Sequence, residues 1–496
     1  VRKPLGALTR NVAIYGAGDV AVTAVGFLLL PVYLKYLLQE GYGALGLLIG
    51  VEALSKILFR WGLDGAFMRY YHDRETLAGR MRLTSTLCLF LLVASGALLG
   101  LGLAASGAIA AHLFPEAPDR YLPALRLVLV NTFLLTFTFV PYQVMRLEGR
   151  ALTFSVISFL RSVATLMLKL WFVVGAGWGL TGFVAADIIV TVGLLPFLWP
   201  WARPLLGAEF SMDELRRCLR FGLPRLPHGL AQQSLDAGNK YLLNLHVPLA
   251  GLGVYNISGT IGQSIKLFLS AFETGWAPFY YETARQPDAR LIFAKVTTYG
   301  IAILALLVAG LAAITPDVIR LVTLGSPWSS DAYAQAAVVV PLVALGIGFQ
   351  GVYLLTSIGL NLTNHTQYYP LSAFAAAGVG LGSGALLMPR FGATGAAVAF
   401  LLSYVTLAAT AGVLAQRHYP VRYETSRLIR VVGAAVMALL SGVMLPAMPP
   451  LAGGLARGSC VVAVFIGLLW LTGFLRPTER ALLHSVMRRL AGRTLQ

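Results

Sequence analysis

From near its start to near its end, the chain repeats apolar blocks of roughly 20 residues separated by short polar breaks, and this limits its fold more than any other feature. An α-helix rises about 1.5 Å per residue, so each block is about as long as the hydrocarbon layer of a bilayer is thick. Hydrocarbon offers the backbone no hydrogen-bond partner, so such blocks must satisfy their own N–H and C=O groups as helices. Charged residues make up 12% of the 496, roughly half the share of a soluble domain. The expected fold class is an all-α polytopic membrane protein.

Fourteen spans are predicted, near 11–36, 43–68, 83–111, 121–145, 151–174, 180–200, 221–246, 251–281, 291–314, 333–360, 367–389, 393–416, 428–447 and 455–475. The first follows Arg2, Lys3 and Arg10 and outruns a signal-peptide core, so it is expected to be a retained span. The net charge of +17 does not indicate nucleic acid as a partner, because the Lys and Arg lie in the breaks and form no basic domain. They mark topology and contacts to anionic membrane lipids. Breaks such as "RYYHDRETLAGRMR", "SMDELRRCLR" and "RHYPVRYETSRLIR" carry most of them and alternate with poor ones, which predicts both termini in the cytoplasm. The loop near 361–366 carries none. The stretches 212–220 and 479–495 are amphipathic and basic, suited to the leaflet surface or to solvated connectors.

Two weak internal matches share nearly one offset. "EGYGALG" at 40–46 and "AGLGVYN" at 250–256 are 210 positions apart, and "GLTGFVAAD" at 179–187 and "GATGAAVAF" at 392–400 are 213 apart. Each match falls at the same point of a six-span cycle, so the halves are expected to pair as a parallel repeat about the membrane normal. The expected division is a six-helix lobe over 1–205, a second over 206–420, and two further helices with a basic tail over 421–496. Two such lobes describe a transporter with a site between them. The glycines of "GVGLGSG" at 378–384 are expected to pack helices closely.

Charges inside the spans are the candidate site. Glu52, Lys56, Arg60 and Asp64 follow at four-residue intervals and stay on one face of a helix. A charge at mid-bilayer costs about 2.5–3.5 kcal/mol, and pairing one turn apart returns only about 0.2–0.5 kcal/mol. The stripe is therefore expected to face a hydrated cavity open to the cytoplasm. Arg161, Lys240 and Lys266 are expected to join Lys56 and Arg60 in holding an anionic group, and Asp19, Asp187, Asp236 and Glu52 to couple ions. Lys169 and Lys240 approach the outer ends of their spans, within snorkelling reach. Cations outnumber unpaired acids, which suits a phosphate. No catalytic constellation or metal-ligand spacing is present: Cys88, Cys218 and Cys460 are scattered, and the acids of "PEAPDR" sit in a solvated loop. No enzyme activity and no cofactor are expected, beyond H+ or Na+ as coupling ion.

The segments "LLPVYLKYLLQEGYGALGLL", "RWGLDGAFMRYY", "FGLPRLPHGLAQQSLDAGNKYLLN", "GLGVYNISGTIG", "AFETGWAPFYYE" and "FGATGAAVAFLLSY" resemble the polysaccharide biosynthesis (oligosaccharide flippase) family. That family belongs to the multidrug/oligosaccharidyl-lipid/polysaccharide (MOP) exporter superfamily. The resemblance implies a bacterial inner-membrane flippase moving undecaprenyl-pyrophosphate-linked sugars to the periplasmic leaflet. It also implies a V-shaped pair of six-helix bundles around a basic cavity with alternating access, and a polysaccharide polymerase and glycosyltransferases as partners. Lipid II flippases of the superfamily place arginines in spans 1, 2 and 8. This chain has no basic residue inside span 1 and has Lys266 in span 8, which favours an O-antigen, capsule or exopolysaccharide unit. The alternatives are a multidrug cation antiporter of the same fold, a membrane-integral glycosyltransferase or polymerase, and an assembly scaffold.

Overall fold

The computed structural model describes residues 29–476, apart from 72, 149, 208, 325–329 and 364, together with residue 479. Asp19 and most of the first expected span lie outside the described residues, as do nearly all of the basic tail and the side chain of Asp236. Regular structure among the described residues is helical throughout. The first half comprises α1 (Leu30–Arg60), α2 (Leu63–Tyr71), α3 (Leu77–Ala104), α4 (Ser106–Leu113), α5 (Pro118–Leu147), α6 (Ala151–Leu170) and α7 (Gly179–Ala202). A connecting helix, α8 (Met212–Gly222), leads to α9 (Arg225–Gln233), α10 (Asn239–Asn244), α11 (Leu249–Gly262) and α12 (Lys266–Thr283). Then follow α13 (Ala289–Val322), α14 (Ser330–Thr356), α15 (Ile358–Leu362), α16 (Tyr368–His418), α17 (Thr425–Val443) and α18 (Pro450–Leu471).

Ten helices among the described residues are long and apolar enough to cross a bilayer. The expected seventh and eighth spans are not among them, because each is interrupted. A π-turn, Ser234–Gly238, separates α9 from α10, and a 3-10 turn, Gln263–Ile265, separates α11 from α12. The expected eleventh and twelfth spans form one helical run, the 51-residue α16, broken at Gly392. A Cβ on Gly395 would lie 2.6 Å from the Leu387 carbonyl oxygen. Eight residues of straight helix would hold those positions about 12 Å apart, so the chain folds back on itself at Gly392.

The stretches paired by sequence share this local geometry. Gly179 (φ +54°) and Gly392 (φ +51°) occupy the left-handed region that glycine enters without a Cβ clash. Three residues on, Gly182 and Gly395 press against the helix just completed, with Phe172 Cβ 2.9 Å and Leu387 O 2.6 Å from the Cβ each would carry. The other matched stretches touch each other, where α1 crosses α11. A Cβ on Gly43 would meet Leu249 O at 2.1 Å, and one on Gly253 would meet Gln39 O at 2.0 Å. The contact is reciprocal, since Gln39 and Leu249 are themselves 210 positions apart. Reciprocity is what two like helices show where they cross at a two-fold axis. Asn256 Nδ2 donates across the crossing to the carbonyls of Tyr42 and Gly43, at 3.4 Å each.

Loops sort to two ends. At one, Asn244 Nδ2 donates to Leu113 O at 2.9 Å, Glu40 lies 3.8 Å from Arg120, and Val247 touches Gly392. At the other, basic end, Arg74 reaches both oxygens of Glu214 at 2.7 Å, and the His365 and His418 rings are 4.0 Å apart. The loop without Lys or Arg thus lies beside a basic one. Helix α8 does not float on the leaflet: Leu215 and Cys218 are buried with Phe67, Tyr71, Leu83 and Leu87. Burial pushes the Cys218 thiol up to about 11. Of the two glycine pairs in "GVGLGSG", Gly380 and Gly384 meet Ser403 and Met388, whereas Gly378 and Gly382 have no neighbour within 4 Å. Only one face of that helix packs closely.

Helices α17 and α18 pack on α13 through Ala309, Ala313, Val431, Ala438, Val461 and Phe465. Beside that contact Arg457 of α18 is ion-paired with Asp317 of α13, and it also donates to Leu445 O and Pro446 O at 3.3 and 3.2 Å. Asp317 is 2% exposed, and Gly453 gives it room, since a Cβ there would come within 2.8 Å of its carboxylate.

Candidate functional site

Glu52, Lys56 and Arg60 stand one turn apart on α1, but the stripe does not continue to Asp64 on the same helix. Helix α1 ends at Arg60, Trp61 (φ 52°) and Gly62 (φ +68°) turn left-handed, and α2 restarts at Leu63. The close approach of Gly62 to Gly222 fixes the break, because a Cβ on Gly62 would sit 2.5 Å from the Gly222 carbonyl oxygen. Asp64 falls in the first turn of α2, where it accepts the Gly65 N–H at 2.9 Å. It remains 3.7 Å from Arg60, so the pairing survives the break.

The remaining charges of the first half converge on that stripe. Arg161, from α6, lies within electrostatic reach of Glu52, Lys56 and Arg60. Asp187 of α7 lies within reach of Glu52 and of the Tyr33 hydroxyl. Lys169 does not snorkel outward. Its ammonium is 3.0 Å from Asp187 and lies over the Phe183 ring, 4.0 Å from the centroid. Three cations, Arg60, Arg161 and Lys169, and two acids, Asp64 and Asp187, therefore surround Glu52 and Lys56, drawn from α1, α2, α6 and α7. Lys56 is exposed, and Glu52, Arg60, Arg161 and Asp187 are half-buried. Side chains this charged on helices this apolar need water or an ionic partner beside them. Arg60 Nε and, beside Asp187, Tyr33 Oη are buried and make no hydrogen bond to protein among the described residues. Buried polar atoms are ordinarily satisfied, so the set marks a place built for water or a polar ligand.

The other expected site residues belong to the second half. Lys240 lies in α10 beside the π-turn that carries Asp236, and Lys266 opens α12 after the 3-10 turn. Both are half-buried. Interrupted helices of this kind occur in membranes where backbone lines a cavity or packs on protein. Sequence reasoning did not find Tyr33 or Phe183, nor Tyr142, which lies within electrostatic reach of Arg161. An isolated tyrosine in an apolar span carries no periodic signal, and only the neighbouring helices give it a role.

The fold defines a class. The structure is similar to "Lipid II flippase MurJ, inward closed conformation", with a TM-score of 0.69 at 12% identity, covering 91% of this chain and 98% of that one. It is also similar to an inward-facing multidrug resistance MATE family transporter of the MOP superfamily, with a TM-score of 0.65 at 18% identity over 79% and 93% of the two chains. A MOP superfamily transporter from Pyrococcus furiosus, described by the reverse polarity of its binding pocket, matches with a TM-score of 0.53 at 15% identity over 88% and 96%. The protein shares the fold of these solved structures. The profile of the family described as "Polysaccharide biosynthesis protein" matches residues 35–333, and the chain belongs to that family. Comparison with curated proteins finds no match.

Proposed function

We propose that the protein is a flippase that carries an undecaprenyl-pyrophosphate-linked oligosaccharide, an O-antigen, capsule or exopolysaccharide repeat unit, across the bacterial inner membrane by alternating access. The observation that carries this reading is the convergence of Lys56, Arg60 and Arg161 around one partly exposed place inside the first lobe. Arginine grips a phosphate with two parallel hydrogen bonds and lysine adds a compact charge, so together they suit a pyrophosphate. Lys240 and Lys266 line the facing side in this reading. Glu52, Asp187, Asp236 and Asp19 carry the coupling protons or Na+. The lobes comprise 1–205 and 206–420, with 421–496 appended, and the basic end faces the cytoplasm, where the loaded lipid is made. No bond is made or broken, and the polymerase and glycosyltransferases act before and after transport.

The test is transport of defined lipid-linked sugars by purified protein in proteoliposomes, with and without H+ and Na+ gradients. Accumulation of the sugar in the far leaflet supports the reading. Export of organic cations with no movement of lipid-linked sugar would replace it with a multidrug antiporter, and new glycosidic bonds would replace it with a transferase.

A further inference from the structure

Among the described residues, two grooves on the surface facing the hydrocarbon are not used by the site above. The first, about 510 Å³, runs between α3 and α7 with α5 as its floor. Cys88, Leu92, Phe137, Leu195 and Trp199 make it apolar, and Leu92 and Trp199, both more than half exposed, border a sideways opening. At the basic end it is closed where the Gly207 N–H donates to Ser85 Oγ at 2.7 Å. The second, about 580 Å³, lies between α14 and the second arm of α16, with Tyr423 of the following linker at its edge.

Two walls of the grooves correspond between the halves, while α3 adds a third wall to the first alone. Ala408 and Gly412 of the second follow Leu195 and Trp199 of the first by 213 positions, the offset of the paired glycines. Phe349 and Val352 follow Phe137 and Val140 by 212. Exposed arginine stands at the basic end of both grooves. Arg82 stands one turn before Ser85, Arg203 directly follows Ala202 of the first lining, and Arg417 lines the second. Among the described residues no carboxylate pairs with any of the three, in contrast to Arg74, Arg427 and Arg457.

We propose that each groove holds one acyl chain of an anionic phospholipid from the leaflet at the basic end, its phosphate against Arg203 and Arg82 in the first half and against Arg417 in the second. The sideways opening admits what already dissolves in hydrocarbon, and dispersion contacts with the aromatic floor hold a chain that would otherwise meet only other chains. Unpaired cations at the lipid–water boundary select a negative head group. A matched pair of grooves, one in each half, suits an abundant resident lipid and not a single transported molecule. The inference is independent of what is transported.

The test uses wild-type protein in vesicles of phosphatidylethanolamine and phosphatidylglycerol containing a trace of phosphatidylglycerol with a photoactivatable acyl chain. Cross-links should concentrate on 85–92, 133–141 and 195–207, and on 349–356 and 405–417, several-fold over the equally exposed surface of α17 and α18. Native mass spectrometry should find two retained phospholipids, with phosphatidylglycerol enriched over its share in the vesicle. Ala408→Trp, which fills the second groove, should remove one of them, and Arg203→Gln with Arg82→Gln should erase the head-group preference at the other. Even labelling of all lipid-facing helices would overturn the proposal, even if Ala408→Trp fails to fold. So would equal retention of neutral and anionic lipid, or a photoactivatable polyprenyl phosphate that displaces phosphatidylglycerol from both grooves.

Discussion

At the residue scale, the charges on α1 matter through what surrounds them. Lys56 is exposed inside a span and has Arg60 and Arg161 as like-charged neighbours, with Glu52 as the nearest counterweight on its own helix. Replacing it with glutamate puts two acids one turn apart and removes a cation from the path proposed for the pyrophosphate. Lys56→Glu is expected to abolish transport, and Lys56→Arg to retain a substantial fraction, as measured in proteoliposomes. Neither should lower folded yield much, because an exposed side chain contributes little packing. In protein whose other cysteines are replaced, cysteine at 56 should react with a small charged maleimide added from the basic end. Cys218, whose thiol burial pushes up to about 11, should react slowly with the same reagent in a second variant that keeps it as the sole cysteine. Full transport by Lys56→Glu would leave the cluster with a purely structural role. Much of this was legible in the sequence, since Glu52, Lys56 and Arg60 announce themselves by spacing. The break before Asp64 was not, because it arises from Gly222, 160 positions away, pressing on Gly62.

At the scale of elements, close approach decides which helices can move past each other. The α1–α11 crossing leaves no room for a methyl group at Gly43 or Gly253, since each would strike a backbone carbonyl. At Gly46 the obstacle is the end of the Asn256 side chain, which can turn away. Gly43→Ala and Gly253→Ala are therefore expected to cost well over 1 kcal/mol and to lower folded yield. Gly46→Ala should be milder, losing only the two long Asn256 bonds. Thermal unfolding in detergent ranks the three, and the opposite order would contradict this packing. The Asp317–Arg457 pair makes a second prediction. Asp317→Ala leaves a guanidinium buried without its partner, which costs about 3–5 kcal/mol, whereas Asp317→Leu with Arg457→Leu should recover most of the loss. The repeat offsets could be read from sequence because glycines needed for close approach recur. This ion pair could not, because nothing in either span shows which of the other helices it faces.

At the scale of the whole molecule, Asn244 reaches Leu113 and α1 crosses α11 at the end opposite the basic loops. Alternating access requires that end to open. Cysteines at Leu113 and Asn244, in a background without Cys88, Cys218 and Cys460, should form a disulfide that stops transport, and reduction should restore it. Undiminished transport by the cross-linked protein would rule out opening there. Reporter fusions after Arg82 and Arg427 should report cytoplasm, and one after Trp178 periplasm. Span positions were largely legible because hydropathy is a local property. The interrupted seventh and eighth spans were not, because π and 3-10 turns leave composition unchanged and depend on what the helix packs against.

The ion pair between α13 and α18 also sets a clock on how the chain is made. Asp317 leaves the ribosome 140 residues before Arg457. At about 5–20 residues per second, the carboxylate waits roughly 7–28 s for its guanidinium. During that interval the helix bearing it must stay beside the insertion machinery, since a bare carboxylate in hydrocarbon is costly. Helix α18 therefore completes one that entered the membrane much earlier, and a nascent chain stopped after α16 should be recognised and degraded as unfinished.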